Sequence, residues 1–358
     1  DIVVVGNVAS SNNPEFLFIQ KNNIPYLSYP EFIAKFLIKK NSIVCAGTYG
    51  KTSTTALLTY ILKRVKYKPA YMFGGLSDSL TVSADDLNGD WSVVEGDEYK
   101  TSRWEETAKF FHYSPTHLLL TAVKWDHADI YKTEQSYFEA FEKLIKIVPK
   151  NGLVVINEEI SKLKIKNLSA EKTNEKAKMI VYGKSNDCNY QYTNIKSTKN
   201  GLEFEIKDKL LAKNYQIKTN LLGDFQAENI CGVFAMACQI GIKPKKIIKA
   251  IKKFKGIKRR LEIRGKTKNG TVVIDDIAHS PDKVKSVLET LNNIYQGKIT
   301  CVFEPNTGNR NMESIPAYDY AFSKADEVII PKLTKIKISV DDPTPPFEGE
   351  KLTEVISK

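Results

Sequence analysis

Ser42-Ile43-Val44-Cys45-Ala46-Gly47-Thr48-Tyr49-Gly50-Lys51-Thr52-Ser53-Thr54 is the stretch on which the reading of the fold turns. Its first five residues form an apolar, β-rich run that breaks at Gly47, and a helical pattern then continues to Lys63. In a strand-loop-helix context the glycines let backbone N–H groups close around phosphate oxygens, and the helix start adds its positive end. Lys51 supplies a point charge and the Thr52 hydroxyl a ligand for Mg²⁺. The common GxxxxGK[ST] spacing asks for glycine at position 45, where this chain has Cys45, so the loop is a shortened form. A tight glycine turn followed by an accidental Lys-Thr is the competing reading, and the flanking strand and helix weigh against it.

Around this loop, strands are expected at residues 91–95, 117–121 and 153–157, with a helix at 136–147 between two of them. That alternation predicts an α/β fold with a mainly parallel sheet wrapped by helices. Upstream, a strand at 1–5, a helical pattern after Pro14 and a helix at 29–39 look like the tail of a nucleotide-binding βαβ unit. Residues 179–219 read as an antiparallel β insertion, followed by helices over 226–253. A further α/β module begins near Ile263, with strands at 271–274, 299–303 and 327–330 and a helix at 281–291.

Composition narrows the class. A length of 358 residues fits two or three domains, and 42% apolar with 27% charged residues is ordinary for a soluble folded protein. No apolar run reaches the ~18 residues of a membrane span, which predicts a cytoplasmic protein and no membrane partner. Cys45, Cys188, Cys231, Cys238 and Cys301 form no CxxC pair, and five is an odd count, so they are expected reduced and structural. The net charge of +11 is spread along the chain. Its densest run, residues 243–258, alternates Lys-Lys with apolar residues at helical spacing, so a solvated helix face is expected and no nucleic-acid partner.

Three further clusters sit where an α/β sheet presents ligands, at the C-terminal ends of strands. Glu95-Gly96-Asp97-Glu98 follows the strand at 91–95, and Glu95 is a candidate ligand for Mg²⁺. Such a cluster alone is more often a solvated turn. Trp125-Asp126-His127 follows the strand at 117–121, and His127 is a candidate metal ligand or a hydrogen-bonded structural histidine. In the last module, Asp276 is placed to bond a ribose and His279 to approach a phosphate, while Ser280 before Pro281 reads as a helix cap. Lys258-Arg259-Arg260 is either a surface charge run or a source of an arginine for phosphate, with Arg260 the candidate.

Taken in order, Gly47 to Thr54 (GTYGKTST), Val93 to Tyr99 (VVEGDEY), Asp126 to Ile130 (DHADI), Phe254 to Gly265 (FKGIKRRLEIRG), Asp275 to Pro281 (DDIAHSP) and Val302 to Pro305 (VFEP) resemble the Mur ligases over nearly the whole chain. The opening Val3-Val4-Val5-Gly6-Asn7 with Asn13-Pro14-Glu15, and Lys109-Phe110-Phe111-His112-Tyr113, resemble the murein peptide ligases of that family more than its L-alanine-adding members. The resemblance implies a three-domain architecture. Residues 1–40 would be the remainder of an N-terminal Rossmann-like, UDP-sugar-binding domain, 41–262 a central P-loop ATPase domain, and 263–358 an incomplete C-terminal Rossmann-like domain.

The resemblance also implies an ATP- and Mg²⁺-dependent ligase that joins UDP-N-acetylmuramate to a muropeptide amine. It places Gly47, Thr48, Gly50, Lys51, Thr52, Ser53, Asn229, Arg260, Asp276 and His279 on the nucleotide, with Thr52, Glu95 and His127 on metal and Lys51, Glu95, His127 and Arg260 in catalysis. Several positions depart from the family pattern. Ala122 and Lys124 replace an asparagine and a glutamate, Lys100 replaces an acid, and Gly223-Asp224-Phe225-Gln226 stands where Gly-x-His-Asn is usual. They raise the alternative of a homologue that binds nucleotide with weakened chemistry.

Overall fold

Alternation along a single strand sets the architecture. On β3 (Asn41–Ala46), Ile43 and Cys45 belong to one apolar core, and Val44 and Ala46 to another on the opposite face. A strand buried on both faces has helices on both, as a parallel sheet demands. In the computed structural model, residues 2–10, 12–125, 130–162, 177–306, 310, 312–333 and 346–356 are described. The chain divides into two compact units, one of Asp1–Lys196, Leu202–Leu221 and Phe225–Ile257, the other of Ser197–Gly201, Leu222–Asp224 and Lys258–Lys358.

The first unit opens with β1 (Val3–Val5), α1 (Pro14–Lys21), β2 (Tyr26–Ser28) and α2 (Tyr29–Phe36), β1 and β2 being parallel. Ser28 and Glu31 form a capping box at the start of α2, and Asn13 caps α1. After β3 come α3 (Lys51–Arg64), β4 (Ala70–Met72), β5 (Ala84–Asp86), β6 (Trp91–Gly96) and β7 (His117–Leu120). The chain continues through α4 (Glu134–Lys146), β8 (Leu153–Asn157), α5 (Glu158–Lys162), β9 (Lys178–Gly183), β10 (Tyr190–Thr198), β11 (Gly201–Asp208) and β12 (Lys213–Thr219) to α6 (Phe225–Gln239) and α7 (Pro244–Ile251). Among the described residues the ten-stranded sheet has the order β12-β11-β10-β9-β8-β7-β3-β6-β4-β5, parallel from β4 through β10.

Residues 179–219 therefore do not form a wholly antiparallel insertion. β9 adds to the sheet parallel to β8 and β10 parallel to β9, while β11 pairs antiparallel with β12. The apolar run of β9, Met179-Ile180-Val181, fits a strand with neighbours on both sides better than an isolated hairpin. Helices α3, α6 and α7 cover one face through Leu57, Ile61, Ile230, Phe234 and Ile247, and α4 covers the other through Tyr137, Phe141 and Leu144. On α7 the side chains of Ile247, Ala250 and Ile251 are buried while Lys245, Lys246 and Lys249 are exposed, which is the expected solvated face.

The second unit pairs β13 (Glu262–Lys266) antiparallel with β14 (Val272–Asp275) across a bulge. Helix α8 (Pro281–Ile294), β15 (Thr300–Val302), β16 (Glu327–Ile329) and α9 (Gly349–Ile356) follow, β15 and β16 being parallel. Val284, Leu288, Phe303, Tyr318, Phe322 and Leu352 make its core. Among the described residues no helix is long and apolar enough to cross a membrane, and all five cysteines are free thiols.

Candidate functional site

Register brings the first set of candidates together. β3 pairs Cys45 with Glu95 of β6 and Ala46 with Leu120 of β7, so the loop 47–50 leaves the sheet between the ends of two neighbours. The Thr48 N–H donates to the Ala122 carbonyl at 2.8 Å, and the Thr48 hydroxyl donates to the Lys124 carbonyl at 2.7 Å and accepts from the Lys124 N–H at 2.9 Å. The two departures at 122 and 124 thus meet the loop through their main chains. Gly50 caps α3 with φ +88°, and a Cβ there would lie 2.3 Å from the Asn229 Oδ1 of α6. That close approach seats Asn229, which is 8% exposed, directly against the loop.

Lys51 folds back over its own loop. Its ammonium donates to Gly47 O at 2.7 Å and to both carboxylate oxygens of Glu98, at 2.9 Å for Oε1 and 2.7 Å for Oε2. Burial alone would lower the pKa of this amine, but Glu98, Asp97 and Glu95 hold it above its ordinary value, so it is a cation in its pocket. Burial likewise pushes the Asp97 carboxyl up, and Lys109 Nζ, 2.6 Å from its Oδ2, outweighs that and leaves it below the usual range. Glu98 is 1% exposed, and its main-chain carbonyl accepts from the Tyr131 hydroxyl at 2.7 Å.

Thr52 and Glu95 meet as expected. The Thr52 hydroxyl donates to Glu95 Oε1 at 2.8 Å, and Glu95 Oε2 accepts from the Gly74 N–H at 2.6 Å. This pairs a hydroxyl with a carboxylate at the mouth of the loop, the hard oxygen donors Mg²⁺ takes, so the residues present fit that ion. Ser53, the second residue after the start of α3, is partly exposed. His127 and Asp126 lie outside the described residues. Among the described residues no group of three or more His, Cys, Asp or Glu side chains is arranged to hold a metal.

The second unit carries its own cleft of about 530 Å³, lined among others by Arg259, Asp276, His279, Glu304, Asn306 and Arg310. Asp276 closes the turn beneath it. Its Oδ2 accepts from the Leu261 N–H and its Oδ1 from the Ala278 N–H, each at 2.8 Å. The His279 ring Nδ1 lies 2.6 Å from Ile277 O. In the Lys258-Arg259-Arg260 run it is Arg259, 3.6 Å from Asp275, that lines the cleft, while Arg260 is exposed and outside its lining. Arg259 and Leu261 both have positive φ, which turns alternate side chains of this segment in directions an extended reading misses.

Glu98 and Arg310 were not anticipated. Arg310, 2% exposed, donates through Nε and Nη2 to Phe347 O at 3.2 and 3.1 Å. The sequence held a signal for Glu98, the third carboxylate of Glu95-Gly96-Asp97-Glu98, but none for its reaching back to Lys51 across 47 positions.

Comparison with known proteins follows the same two units. Residues 45–237 match the Mur ligase middle domain and residues 259–352 the Mur ligase, glutamate ligase domain. The UDP-N-acetylmuramate–L-alanyl-γ-D-glutamyl-meso-2,6-diaminoheptandioate ligase of Escherichia coli is 32% identical over 92% of this chain and 71% of its own length. The UDP-N-acetylmuramate–L-alanine ligase of Clostridium acetobutylicum is 30% identical over 100% of this chain and 75% of its own. The crystal structure of the UDP-N-acetylmuramate–alanine ligase of Thermotoga maritima shares the fold, with a TM-score of 0.78 at 23% identity over 99% of this chain and 74% of that one. With a shortened phosphate loop, a threonine-carboxylate pair at its mouth and matches across both units, the chain belongs to the Mur ligase family of ATP-dependent acid–amino-acid ligases.

Proposed function

We propose that this chain is a cytoplasmic ligase that joins the carboxylate of UDP-N-acetylmuramate to the amine of L-Ala-γ-D-Glu-meso-diaminopimelate, in peptidoglycan recycling. In the proposed reaction the carboxylate oxygen takes the γ-phosphoryl group of ATP and ADP leaves. The amine nitrogen then attacks the acyl carbon, the amide forms, and phosphate departs as the nitrogen loses its proton. The observation that carries this reading is the placement of Lys51, Thr52 and Glu95 at one loop mouth, where phosphoryl transfer needs positive charge and metal ligands. One Mg²⁺ held by Thr52 and Glu95 and a second held by His127 would neutralise charge on the transferring group.

Gly47, Thr48, Gly50, Ser53 and Asn229 are the proposed nucleotide contacts of the first unit; for the second unit, taken by itself, Arg260, Asp276 and His279 are the proposed ones, with Arg259 beside Asp276 and His279 in the cleft. The same reading takes residues 1–40 with the UDP-sugar, 41–262 with ATP and 263–358 as a C-terminal Rossmann-like domain. The departures at Ala122 and Lys124 speak less against activity than their side chains imply, because the loop uses their backbone atoms.

The 30% identity to the L-alanine ligase of Clostridium acetobutylicum supports a second reading, in which the amine is L-alanine alone. Phosphate release from ATP with Mg²⁺ and UDP-N-acetylmuramate, in the presence of the tripeptide, L-alanine or no amine, separates the two. Release with the tripeptide that Lys51→Ala abolishes supports the first, and release with L-alanine alone supports the second. Folded protein that releases phosphate with neither amine refutes both and leaves the weakened homologue.

A further inference from the structure

The contacts of Lys51 carry an inference that rests on the nucleotide reading and goes beyond it. An ammonium has three N–H donors. Here they face Gly47 O, Thr48 O and the two Glu98 oxygens, with Glu98 Oε2 and Gly47 O nearest at 2.7 Å. A phosphate oxygen that recruits Lys51 must therefore take it from a partner already in place. Glu98 is the one charged competitor among those atoms. It is held where it stands, since the Tyr137 hydroxyl donates to its Oε1 at 3.3 Å and Tyr131 to its carbonyl at 2.7 Å.

The local charges sharpen the point. Among the described residues, the three carboxylates Glu95, Asp97 and Glu98 act on Lys51, and Lys109 pairs with Asp97, so in this set the anionic side chains outnumber the cationic ones by one. We propose that Glu98 is a positioning residue, a counter-ion latch that holds Lys51 on its loop carbonyls until nucleotide and a divalent cation arrive together. In this role Glu98 lowers the affinity for metal-free nucleotide and releases Lys51 when added positive charge offsets the carboxylates.

The test is calorimetric titration of the full chain with ADP, with and without Mg²⁺, for the wild type, Glu98→Gln and Glu98→Asp, with thermal unfolding run alongside. Glu98→Gln removes the anion and keeps the shape. It is expected to bind ADP roughly tenfold more tightly, equivalent to about 1.4 kcal/mol, with the larger gain when Mg²⁺ is withheld. AMP should gain least, because a loop lysine of this kind reaches the β- and γ-phosphates. Glu98→Asp, whose shorter side chain loosens the contact without removing the charge, should shift affinity the same way by a smaller factor, and it decides the matter if Glu98→Gln fails to fold. A purely structural Glu98 would leave the difference between Mg²⁺-bound and Mg²⁺-free affinities unmoved. Wild type that binds ADP while the folded variants bind it no more tightly overturns the latch alone. Absence of ADP binding by all three proteins overturns the nucleotide reading together with it.

Discussion

Gly47→Ala puts the loop geometry under the most direct strain. Gly47 has φ +135°, and a Cβ there would lie 2.2 Å from Thr121 Oγ1 and 3.1 Å from Ala122 O. The first distance is far inside contact, and the hydroxyl cannot turn away without cost, since it sits 2.5 Å from Tyr49 O and 3.1 Å from Ala46 O. The backbone conformation adds about 1–3 kcal/mol. Displacing the hydroxyl adds about 0.5–1.5 kcal/mol for each contact given up. Together these predict a loss of about 2–6 kcal/mol, read by urea unfolding of the first unit with near-ultraviolet circular dichroism as the probe. Thr121→Ala alone should cost about 1–2 kcal/mol and should remove the atom that the added methyl group at position 47 would strike. The double variant is therefore expected to fall short of the sum by at least about 1 kcal/mol, well beyond the additivity of independent sites. Gly47→Ala within about 1 kcal/mol of wild type, or strict additivity in the cycle, would refute the argument that this loop is shaped by close packing on Thr121.

Three other outcomes follow from the same contacts. Thr52→Val keeps the shape of the side chain and removes the oxygen that meets Glu95, so the Mg²⁺ concentration for half-maximal ATP turnover should rise at least roughly tenfold, with thermal stability little changed. Asp276→Ala frees the amides of Leu261 and Ala278 and should destabilise the second unit by about 2–4 kcal/mol in urea titration, whereas Asp276→Asn, which keeps an acceptor, should cost less. Burial holds the His117 imidazole below its ordinary pKa of 6.5, so the unfolded chain binds its proton first. Its contribution is intact above pH 6.5 and is lost as pH falls through that value toward the folded pKa, and His117→Gln should flatten that part of the stability profile measured by urea titration between about pH 8 and 5.

The sheet was legible because its strands are apolar runs of the length and spacing that a parallel, doubly covered strand requires; residues 91–95 and 153–157 fall within one residue of β6 and β8. Boundaries slipped where the determinant is tertiary. The helix expected over 29–39 stops at Phe36, because the chain must turn for the Lys39 N–H to reach Ser92 Oγ at 3.1 Å on β6. The parallel entry of β9 was hidden for a similar reason. Nothing within residues 178–183 says whether the neighbour is β8 or the next hairpin, and that choice belongs to α5 and the packing of α6 against β8 and β9.

Site residues divide the same way, according to whether a local sequence pattern or a distant neighbour sets their role. Thr52 and Gly50 are fixed by the loop-helix junction, so a motif finds them. Glu95 is fixed by the strand end and its register with Cys45, so a motif plus a sheet finds it. Glu98 needs three things at once: the turn after β6, the fold-back of Lys51, and two tyrosines, Tyr131 on its main-chain carbonyl and Tyr137 on its carboxylate. Arg259 and Arg260 show the limit in its plainest form. They are chemically identical and adjacent, and the segment that puts Arg259 and not Arg260 in the cleft lining of the second unit has positive φ at both 259 and 261. A pattern of residue types is blind to that choice, because the cause is a backbone angle held by the Ile277 N–H on Arg259 O at 2.8 Å and by Asp276 on the Leu261 N–H. If those two contacts are what orient the segment, Asp276→Ala should alter the behaviour of Arg259 as well as the stability of its own turn.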